Sequence, residues 1–249
     1  MIYAISASNT IISGKGLKEY IFPFDNATIF GDVTMQTSGD LITIYGRVND
    51  AVYLRLTSYM KSVIPFYHEC FSNPGRCVTG FTVSFWMFLR PTYSTGHIVN
   101  AYNSGANHGW TVTYTTNVDQ TLEIHFSIVS PTQRYETTTQ LPPRTWSHLA
   151  CSWGTSNQIW VNGTNQNAAW TTVASTIGTE GDVTLVFGTD SDSFNQHSDM
   201  AIDEFNFQEQ VRTDAAILAE FGRLYEIHFG GKLVRMIVIY SVHKCCLHV

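Results

Sequence analysis

The chain has 249 residues, of which 44% are hydrophobic and only 14% are charged. It carries 14 basic against 20 acidic residues, for a formal net charge of -6. This balance supplies no large positive field to hold a phosphate backbone, which excludes nucleic acid as the expected partner. The length accommodates one large β domain or two ordinary domains. Low charge together with abundant Thr, Ser, Asn and aromatic residues favours pleated strands joined by short polar loops.

The first 19 residues are predicted to be an extension that precedes the domain. They contain no basic start followed by an apolar run and a small-residue cleavage site, so we expect the sequence to be a fragment of a longer chain. The domain itself is expected from residue 20 onwards, where apolar and β-branched runs begin. Asn26 and Asn162 each begin an Asn-x-Thr sequon, which makes both predicted glycosylation sites of an exported protein.

Cys70 and Cys77 bracket the sequence FSNPGR, a Pro-Gly turn short enough to bring two sulfur atoms together. We predict a disulfide between them. The alternative is a pair of metal ligands, but no second Cys or His pair stands at suitable spacing. A disulfide places the chain outside the cytosol, in the extracellular space or at the cell surface.

Residues 80–91, GFTVSFWMFLRP, carry the strongest strand signal in the sequence. Alternate side chains of a strand point to opposite faces. One face of this strand is wholly apolar and is predicted to be core, and Pro91 ends the strand. The core face comprises Phe81, Val83, Phe85, Met87 and Leu89.

Residues 144–163, RTWSHLACSWGTSNQIWVNG, predict two more strands. The second of them stops at Asn162-Gly163, a dipeptide that tolerates the positive φ angles of a tight hairpin turn. Further candidate strands recur at intervals of about ten residues, separated by Gly, Asn, Ser and Pro. They are GHIVNAY, GWTVTYTT, TLEIHFSIV, DVTLVFG and MAIDEFNFQ.

The segment from Thr213 to Phe221 is predicted to be a short helix, with Thr213 as N-cap and Gly222 at its end. The regular spacing of the candidate strands and this helix together predict an all-β fold, an antiparallel β-sandwich with one short C-terminal helix. We place the domain at residues 20–222. Residues 223–249 are expected to be a tail, either an appended strand or a segment foreign to the domain, and their apolar run is too short to cross a membrane.

Four segments, taken together, resemble the laminin-G-like and pentraxin-like jelly rolls of the concanavalin A-like sandwich class. The resemblance extends from about residue 20 to residue 221 and implies a jelly roll that binds glycans or protein ligands at loops on one sheet. The four segments are GFTVSFWMFLR, WSHLACSW, IWVNG and MAIDEFNFQEQVRTDAAILAEF.

The segment HLACSWGT, residues 148–155, resembles the pentraxin motif His-x-Cys-x-Ser/Thr-Trp-x-Ser/Thr, except that Ala150 occupies the cysteine position. The resemblance places the partner cysteine of that family at Ser84. Both halves of the family disulfide are therefore absent, which argues for a wider relative rather than a true pentraxin. Cys151 is displaced by one residue, so it faces the other side of the strand and is expected to be buried and unpaired.

Calcium is the one metal that the resemblance suggests. Pentraxin-like domains hold calcium with a Glu-Gln-Asp-Ser-Phe loop and an earlier Asp-Asn pair, and TDSDSF at residues 189–194 resembles that loop. Asp190 and Asp192 match its two acids, Asn107 falls near the earlier pair, and Asp199 is a further candidate oxygen donor. The alternative is a solvated polar loop without metal. Because Trp110 follows Asn107-His108-Gly109 on a predicted loop beside this site, we expect Trp110 and His108 to contact the ligand.

The same sandwich also hosts glycoside hydrolases, which need two carboxylates on one cleft face. Their Glu-x-Asp-x-x-Glu strand would correspond to the segment around Asp203, but Ala201 stands at the nucleophile position. Glu123 and His125 share one face of TLEIHF and are interpreted as a solvent-facing pair. We therefore predict a non-catalytic extracellular recognition module, part of a larger adhesion or receptor protein. The alternative is a carbohydrate-active hydrolase of the same fold.

Overall fold

A computed structural model of the chain describes residues 19–22, 36–38, 41–45, 47, 50–55, 57–64, 69–103, 108–129, 133–174, 182–190, 196–222, 225–229 and 232–236. Its described elements are mainly β-strands. In chain order the strands are β1 (Glu19–Phe22), β2 (Gln36–Ser38), β3 (Leu41–Tyr45), β4 (Asp50–Leu54), β5 (Tyr59–Ile64), β6 (Phe81–Arg90), β7 (Thr95–Asn103), β8 (His108–Thr116), β9 (Leu122–Val129), β10 (Gln133–Leu141), β11 (Ser147–Trp153), β12 (Gln158–Val161), β13 (Thr164–Asn165), β14 (Thr171–Ala174), β15 (Val183–Phe187), β16 (Asp199–Gln208), β17 (Tyr225–Phe229) and β18 (Lys232–Met236).

Two antiparallel sheets form the sandwich, as the sequence predicts. Among the described strands the first sheet runs in the order β13-β12-β11-β6-β16-β4-β3, with β1 also paired to β16. The second runs in the order β14-β10-β9-β8-β7-β15-β5-β2. Strands β17 and β18 pair with each other in a separate two-stranded sheet.

The apolar face of β6 lies between the two sheets, as predicted from its alternation. Phe81, Val83 and Phe85 are fully buried in the central cluster. Trp110 from β8 lies at the centre of this cluster, stacked against Phe205 at 6.3 Å and against Phe207 at 6.0 Å between ring centroids. Aromatic packing between the inner faces therefore holds the two sheets together.

Helix α2 (Asp214–Phe221) covers the outer face of the first sheet. Thr213 caps it by accepting a hydrogen bond from the Ala216 N–H, and Gly222 follows its last residue, both as predicted. Ile217 packs against Trp160 and Ala150 of the sheet. Strand β11 is therefore buried on both faces, with the core on one side and the helix on the other.

The hairpin between β12 and β13 turns at Asn162 and Gly163, whose φ angles are 50° and 76°. The prediction of a tight turn there is confirmed. A Cβ atom at position 163 would lie 3.0 Å from Leu218 Cδ1, so glycine also allows the close approach of α2.

Cys70 and Cys77 form the predicted disulfide. Two short helices that the sequence analysis did not predict form this segment, α1 (Glu69–Ser72), which includes Cys70, and a 3₁₀ turn at Pro74–Arg76. Phe71 from α1 enters the core, where its carbonyl accepts a hydrogen bond from Trp110 Nε1 at 3.3 Å. The disulfide therefore holds a segment whose Phe71 packs against Trp110 and Phe207 in the core.

Cys151 is buried and unpaired, as predicted, and burial raises the pKa of its thiol well above the ordinary value. Ala150 and Ser84 stand directly opposite each other in the β11–β6 ladder. The two positions where the pentraxin resemblance places cysteines are thus neighbours, and small side chains occupy both. Within the described parts of the chain, no helix has the length and apolar character to cross a membrane.

Candidate ligand-binding groove

Strands β7 to β10 form a sheet surface whose inner and outer sides differ sharply in polarity. In β8, alternation sends Trp110, Val112 and Tyr114 into the core and leaves the threonines between them on the outer face. In β9, Ile124 and Phe126 point inwards in the same way. The outer side chains of these two strands are Thr111, Thr113, Thr115, Glu123, His125 and Ser127.

The strand register aligns these outer side chains in two rows that run across the sheet. Neighbouring strands lie about 4.8 Å apart, so directly paired side chains on one face are within contact range. The first row comprises Thr138, His125, Thr113 and His97. The second row comprises Thr171, Glu136, Ser127, Thr111 and Asn100.

Both rows line a groove of about 730 Å³ on the outer face of the second sheet. This volume falls within the range of small-molecule and cofactor sites. Residues from the strand ends and from neighbouring loops complete its walls. They include Tyr102, Val129, Ala169, Asp190 and Gln196.

His97, at one end of the groove, is held in place by hydrogen bonds of its two ring nitrogens. Nδ1 lies 2.9 Å from Asn100 Oδ1, and Nε2 lies 2.9 Å from Gln196 Oε1. Asn100 Nδ2 donates to the Thr189 carbonyl at 2.7 Å, which leaves its Oδ1 to accept from His97 Nδ1. The Asn100 amide therefore fixes the His97 ring, and this end of the groove is preorganised.

His125 lies in the middle of the first row and lines the groove. Its Nε2 atom is buried and has no hydrogen-bond partner among the described residues. A buried polar atom without a partner costs free energy. Because the χ2 torsion of a histidine ring is soft, rotation would let a ligand hydroxyl satisfy this atom.

Two ionisable side chains beside the groove have shifted pKa values. Burial raises the pKa of Tyr114, which forms part of the floor, to about 12. Burial lowers the pKa of His197, and the nearby negative charge of Asp190 opposes that change.

The interpretation of Trp110 as an aromatic side chain on a loop is wrong. Trp110 belongs to β8 and is 0% exposed, with its indole packed against phenylalanines of the core. The alternation within β8 turns it inwards, while its neighbour Thr111 faces outwards. His108, at the start of β8, is also buried, at 4% exposure. Neither residue presents a free surface to a ligand.

Of the four candidate calcium ligands, the structure describes two, Asp190 and Asp199. Asn107 and Asp192 lie outside the described part of the chain. Asp190 Oδ1 accepts hydrogen bonds from the Gln196 N–H and the Thr189 hydroxyl, each at 3.2 Å. Within the described ranges there is no group of three or more His, Cys, Asp or Glu that would hold a metal ion.

Asp199 lies at the start of β16 in the first sheet, where its side chain is almost fully engaged. Its Oδ1 accepts from the Tyr53 hydroxyl at 2.5 Å, and its Oδ2 accepts from the Thr92 hydroxyl at 3.0 Å. These two bonds explain its burial without a metal. Calcium binding at the candidate residues stays a prediction.

Of the two sequons, the structure describes only the one at residue 162. Asn162 lies in the hairpin turn, where its Oδ1 accepts a hydrogen bond from the His148 N–H at 2.9 Å. Asn26 lies outside the described residues. Glycosylation at either position stays a prediction.

The acidic strand considered for hydrolysis lies in the first sheet, on the far side of the core from the groove. Asp203 is fully buried opposite Trp86, and its Oδ2 accepts from the Arg47 N–H at 2.8 Å. The Arg47 guanidinium lies 5.0 Å from the Trp86 ring centroid. Asp203 therefore contributes to the covered face of the first sheet and does not line the groove.

The sequence analysis did not identify the groove as a site, although its signal is present in the sequence. Threonines alternate through GWTVTYTT, and Glu123 and His125 alternate with apolar residues in TLEIHF. Each strand alone resembles an ordinary solvated face. The site is recognisable only once the register places the polar faces of β7 to β10 side by side.

A known protein family matches the part of the chain that forms most of the sandwich. A laminin-G family model, described as the concanavalin A-like lectin/glucanases superfamily, matches residues 68–218. The human adhesion G-protein coupled receptor D1 is 25% identical over an alignment of 220 residues, and the alignment covers 81% of this chain and 23% of the receptor. The chain thus spans less than a quarter of the length of this relative.

Solved structures with the same fold include the binding domain of a mosquitocidal protein and one domain of an arabinanase. The binding domain of Paraclostridial Mosquitocidal Protein 1 aligns with a TM-score of 0.53 and 12% identity over 77% of this chain and 47% of that one. Domain 4 of AbnA, a GH43 extracellular arabinanase from Geobacillus stearothermophilus solved in complex with arabinotriose, aligns with a TM-score of 0.53. Its identity is 16% over 82% of this chain and 97% of that domain. At these identities the likeness concerns the fold.

Proposed function

We infer that this chain, which belongs to the concanavalin A-like lectin/glucanase superfamily, is an extracellular recognition module that binds a glycan in the groove across β7 to β10. The observation that carries this proposal is the pair of polar rows that line the groove. Hydroxyl and imidazole groups from five adjacent strands, β14 and β10 to β7, face one concave space, and such groups pair well with the hydroxyls of a sugar.

The rigid strand scaffold also supports binding in this groove. Thr111, Thr113 and Ser127 are fixed by the ladder of β8 and β9, and His97 is fixed by Asn100. Preorganised partners reduce the entropy that association costs. The domain of AbnA with the same fold was solved with arabinotriose, which favours a saccharide among possible ligands.

An extracellular location is supported by the Cys70–Cys77 disulfide and by the likeness to an adhesion receptor. We propose that the chain is part of a larger adhesion or receptor protein. In that setting the module would contribute ligand binding, while other segments of the parent protein would supply its attachment.

We propose that the module is non-catalytic. Glycoside hydrolysis needs an acid and a nucleophile or base on opposite sides of the scissile bond. The carboxylates among the described residues lining the groove are Glu136 and Asp190, and Asp190 already accepts two hydrogen bonds from its own loop. The acidic strand that would match the hydrolase motif is directed away from the groove.

The test is a binding titration of the unglycosylated protein against a panel of soluble hexasaccharides, with matched threonine variants. Thr111→Val and Thr113→Val each remove one groove hydroxyl while they keep a β-branched side chain in the strand. We expect each to weaken binding by about tenfold, as loss of one buried hydrogen bond predicts. The control is Thr155→Val, an exposed position in the loop between β11 and β12.

Equal affinity of wild type, Thr111→Val and Thr113→Val would contradict the proposed site. Release of reducing ends from any hexasaccharide during the titration would contradict the non-catalytic assignment. If that release disappeared in Asp203→Asn, the hydrolase alternative would replace the non-catalytic assignment.

A further inference from the structure

The two polar rows of the groove run across the strands, because paired residues of antiparallel strands lie directly opposite one another. Adjacent strands are about 4.8 Å apart, so successive side chains of a row repeat at that spacing. Along one strand the spacing is larger, since same-face residues such as Thr111 and Thr113 are about 6.8 Å apart. The outer face of this sheet therefore offers a short period across the strands and a long period along them.

The short period matches the repeat of a linear sugar chain. In an extended β-(1→4)-linked glycan each pyranose unit advances the chain by about 5 Å, which is close to the strand spacing of about 4.8 Å. A chain that lies across the strands would place one sugar unit over each strand. A chain that lies along a strand would lose the match with the side chains after about two units, because the period there is about 6.8 Å.

The presence of two rows suits the two edges of such a chain. The rows are two residues apart in β8, β9 and β10, so each of these strands carries one side chain in either row. On β9, His125 lies in one row and Ser127 lies in the other. The equatorial hydroxyls of an extended chain project from both of its edges. A sugar unit over β9 would therefore be contacted on both sides.

Four neighbouring strands, β14, β10, β9 and β8, present polar groups to this chain. Thr171, Thr138 and Thr113 contribute hydroxyls that line the groove. The Thr171 hydroxyl donates to the Glu136 carbonyl at 3.4 Å, and a hydroxyl that donates one hydrogen bond still accepts others. His125 contributes the buried Nε2 atom that has no hydrogen-bond partner among the described residues. From β14 to β8 the rows span three strand intervals, or about 14 Å, which corresponds to about four sugar units.

At β7 the rows meet side chains that are already bonded. His97 Nδ1 lies 2.9 Å from Asn100 Oδ1, and His97 Nε2 lies 2.9 Å from Gln196 Oε1. Asn100 also donates to the Thr189 carbonyl. These hydrogen bonds make β7 a firm border of the stretch from β14 to β8.

We propose that the groove binds an extended β-(1→4)-linked glycan that lies across the strands, with one sugar unit over each of β14, β10, β9 and β8. This inference rests on the proposed glycan-binding function and adds the linkage, the length and the orientation of the ligand. The module recognises a stretch of about four units of a chain rather than a single terminal sugar.

The first experiment measures how affinity depends on chain length and linkage. Xylo-oligosaccharides and cello-oligosaccharides of two to six units, both β-(1→4)-linked, are titrated into the wild-type protein. In the series that binds more tightly, we expect the tetrasaccharide to bind at least about tenfold more tightly than the disaccharide. The gain from four to six units should be smaller than the gain from two to four. Maltotetraose, whose α-(1→4) linkage curls the chain, should bind at least about tenfold more weakly than the β-linked tetrasaccharide.

The second experiment tests the orientation with variants at different points along the rows. A trisaccharide has two ways to occupy four strand positions, and both cover β9, whereas one of them avoids β14. His125→Ala, on β9, should weaken binding of the trisaccharide and the tetrasaccharide equally, by about tenfold. Thr171→Val, on β14, should reduce the ratio of tetrasaccharide to trisaccharide affinity by about threefold. Thr155→Val, exposed in the loop between β11 and β12, is the control and should change neither affinity.

The possible failures are distinguishable. Equal affinity for the disaccharide and the tetrasaccharide, or tighter binding of maltotetraose, would overturn the crosswise chain and leave the glycan-binding function standing. The same conclusion would follow if neither β-(1→4)-linked series bound while another hexasaccharide of the panel bound and was weakened by Thr113→Val. An unchanged affinity ratio in Thr171→Val would show that the chain does not extend over β14, which also overturns the proposal. Absence of binding to every saccharide would overturn the glycan-binding function and the crosswise chain with it.

Discussion

Among the described residues, the outer faces of both sheets are rich in polar side chains, but a helix packs on one face and a groove lies on the other. On the first sheet, α2 covers the strands, and Trp86 stacks on Phe221 with ring centroids 5.4 Å apart. Beneath the helix, Glu220 accepts hydrogen bonds from Ser84 and Arg212 and lies 3.3 Å from His148 Nε2. On the second sheet, the polar rows line a groove instead.

This difference indicates that polar residues serve two roles on the same scaffold. Under α2, the Ser84, Arg212 and Glu220 side chains are paired with one another and stabilise the contact between helix and sheet. In the groove, His125 keeps a buried nitrogen without a hydrogen-bond partner among the described residues. We therefore expect substitutions under the helix to change stability, and substitutions in the groove to change binding.

The largest effect is expected from Glu220→Ala. Removal of this carboxylate leaves the Arg212 guanidinium and the Ser84 hydroxyl without their buried partner, which should lower the free energy of unfolding by about 3 kcal/mol. Urea denaturation followed by fluorescence measures this loss. Glu220→Gln keeps the side-chain shape and should lose less. A loss below about 0.5 kcal/mol for Glu220→Ala would show that the covered face contributes little to stability.

The next effect concerns Tyr114, on the inner side of the groove sheet. Its folded pKa of about 12 exceeds the ordinary value of 10.0, so the folded state favours the neutral phenol. Stability is unaffected below pH 10 and falls as the pH rises from 10 towards 12, by about 2 kcal/mol at a pH of about 11.5. Urea denaturation of wild type and Tyr114→Phe, at a pH below 10 and at a pH of about 11.5, measures this loss of stability. Equal alkaline losses in the two proteins would contradict burial of this phenol.

A smaller change in stability is expected from His125→Ala in the groove. The substitution removes a polar atom that has no hydrogen-bond partner within the described residues, so the free energy of unfolding should change by less than about 1 kcal/mol. Saccharide affinity should nevertheless fall. Leu218→Ala, at an exposed position of α2, is the control and should leave affinity unchanged. Unfolding of His125→Ala at room temperature would assign this face a structural role.

The smallest expected effect is a weak pH dependence of the free energy of unfolding, and it is caused by His197. Burial lowers its folded pKa below the ordinary value of 6.5, so the unfolded chain binds more protons near that pH. Stability should therefore decrease as the pH falls from about 7.5 to about 5.5, and His197→Gln should reduce that slope. Asp190→Asn removes the opposing charge and should steepen it. An unchanged slope in Asp190→Asn would show that the two side chains do not interact.

The sequence predicts the scaffold well and the site poorly, for a physical reason. Alternation in β6 identified Phe85 as core, and the capping pattern identified α2, because both signals are local. Trp110 is expected on a loop because it follows Asn107-His108-Gly109 beside the candidate calcium site, whereas β8 already begins at His108. The groove depends on which strands are neighbours, and that information is distributed over segments distant in the chain.

The most direct test of the groove as the binding site is a two-dimensional ¹H–¹⁵N NMR titration with the tightest-binding saccharide of the panel. The account predicts that the largest amide shifts occur in β7 to β10, at residues such as Thr113 and Ser127, and that Leu218 in α2 stays unchanged. Shifts concentrated in α2 and the first sheet, with Thr113 and Ser127 unaffected, would contradict it.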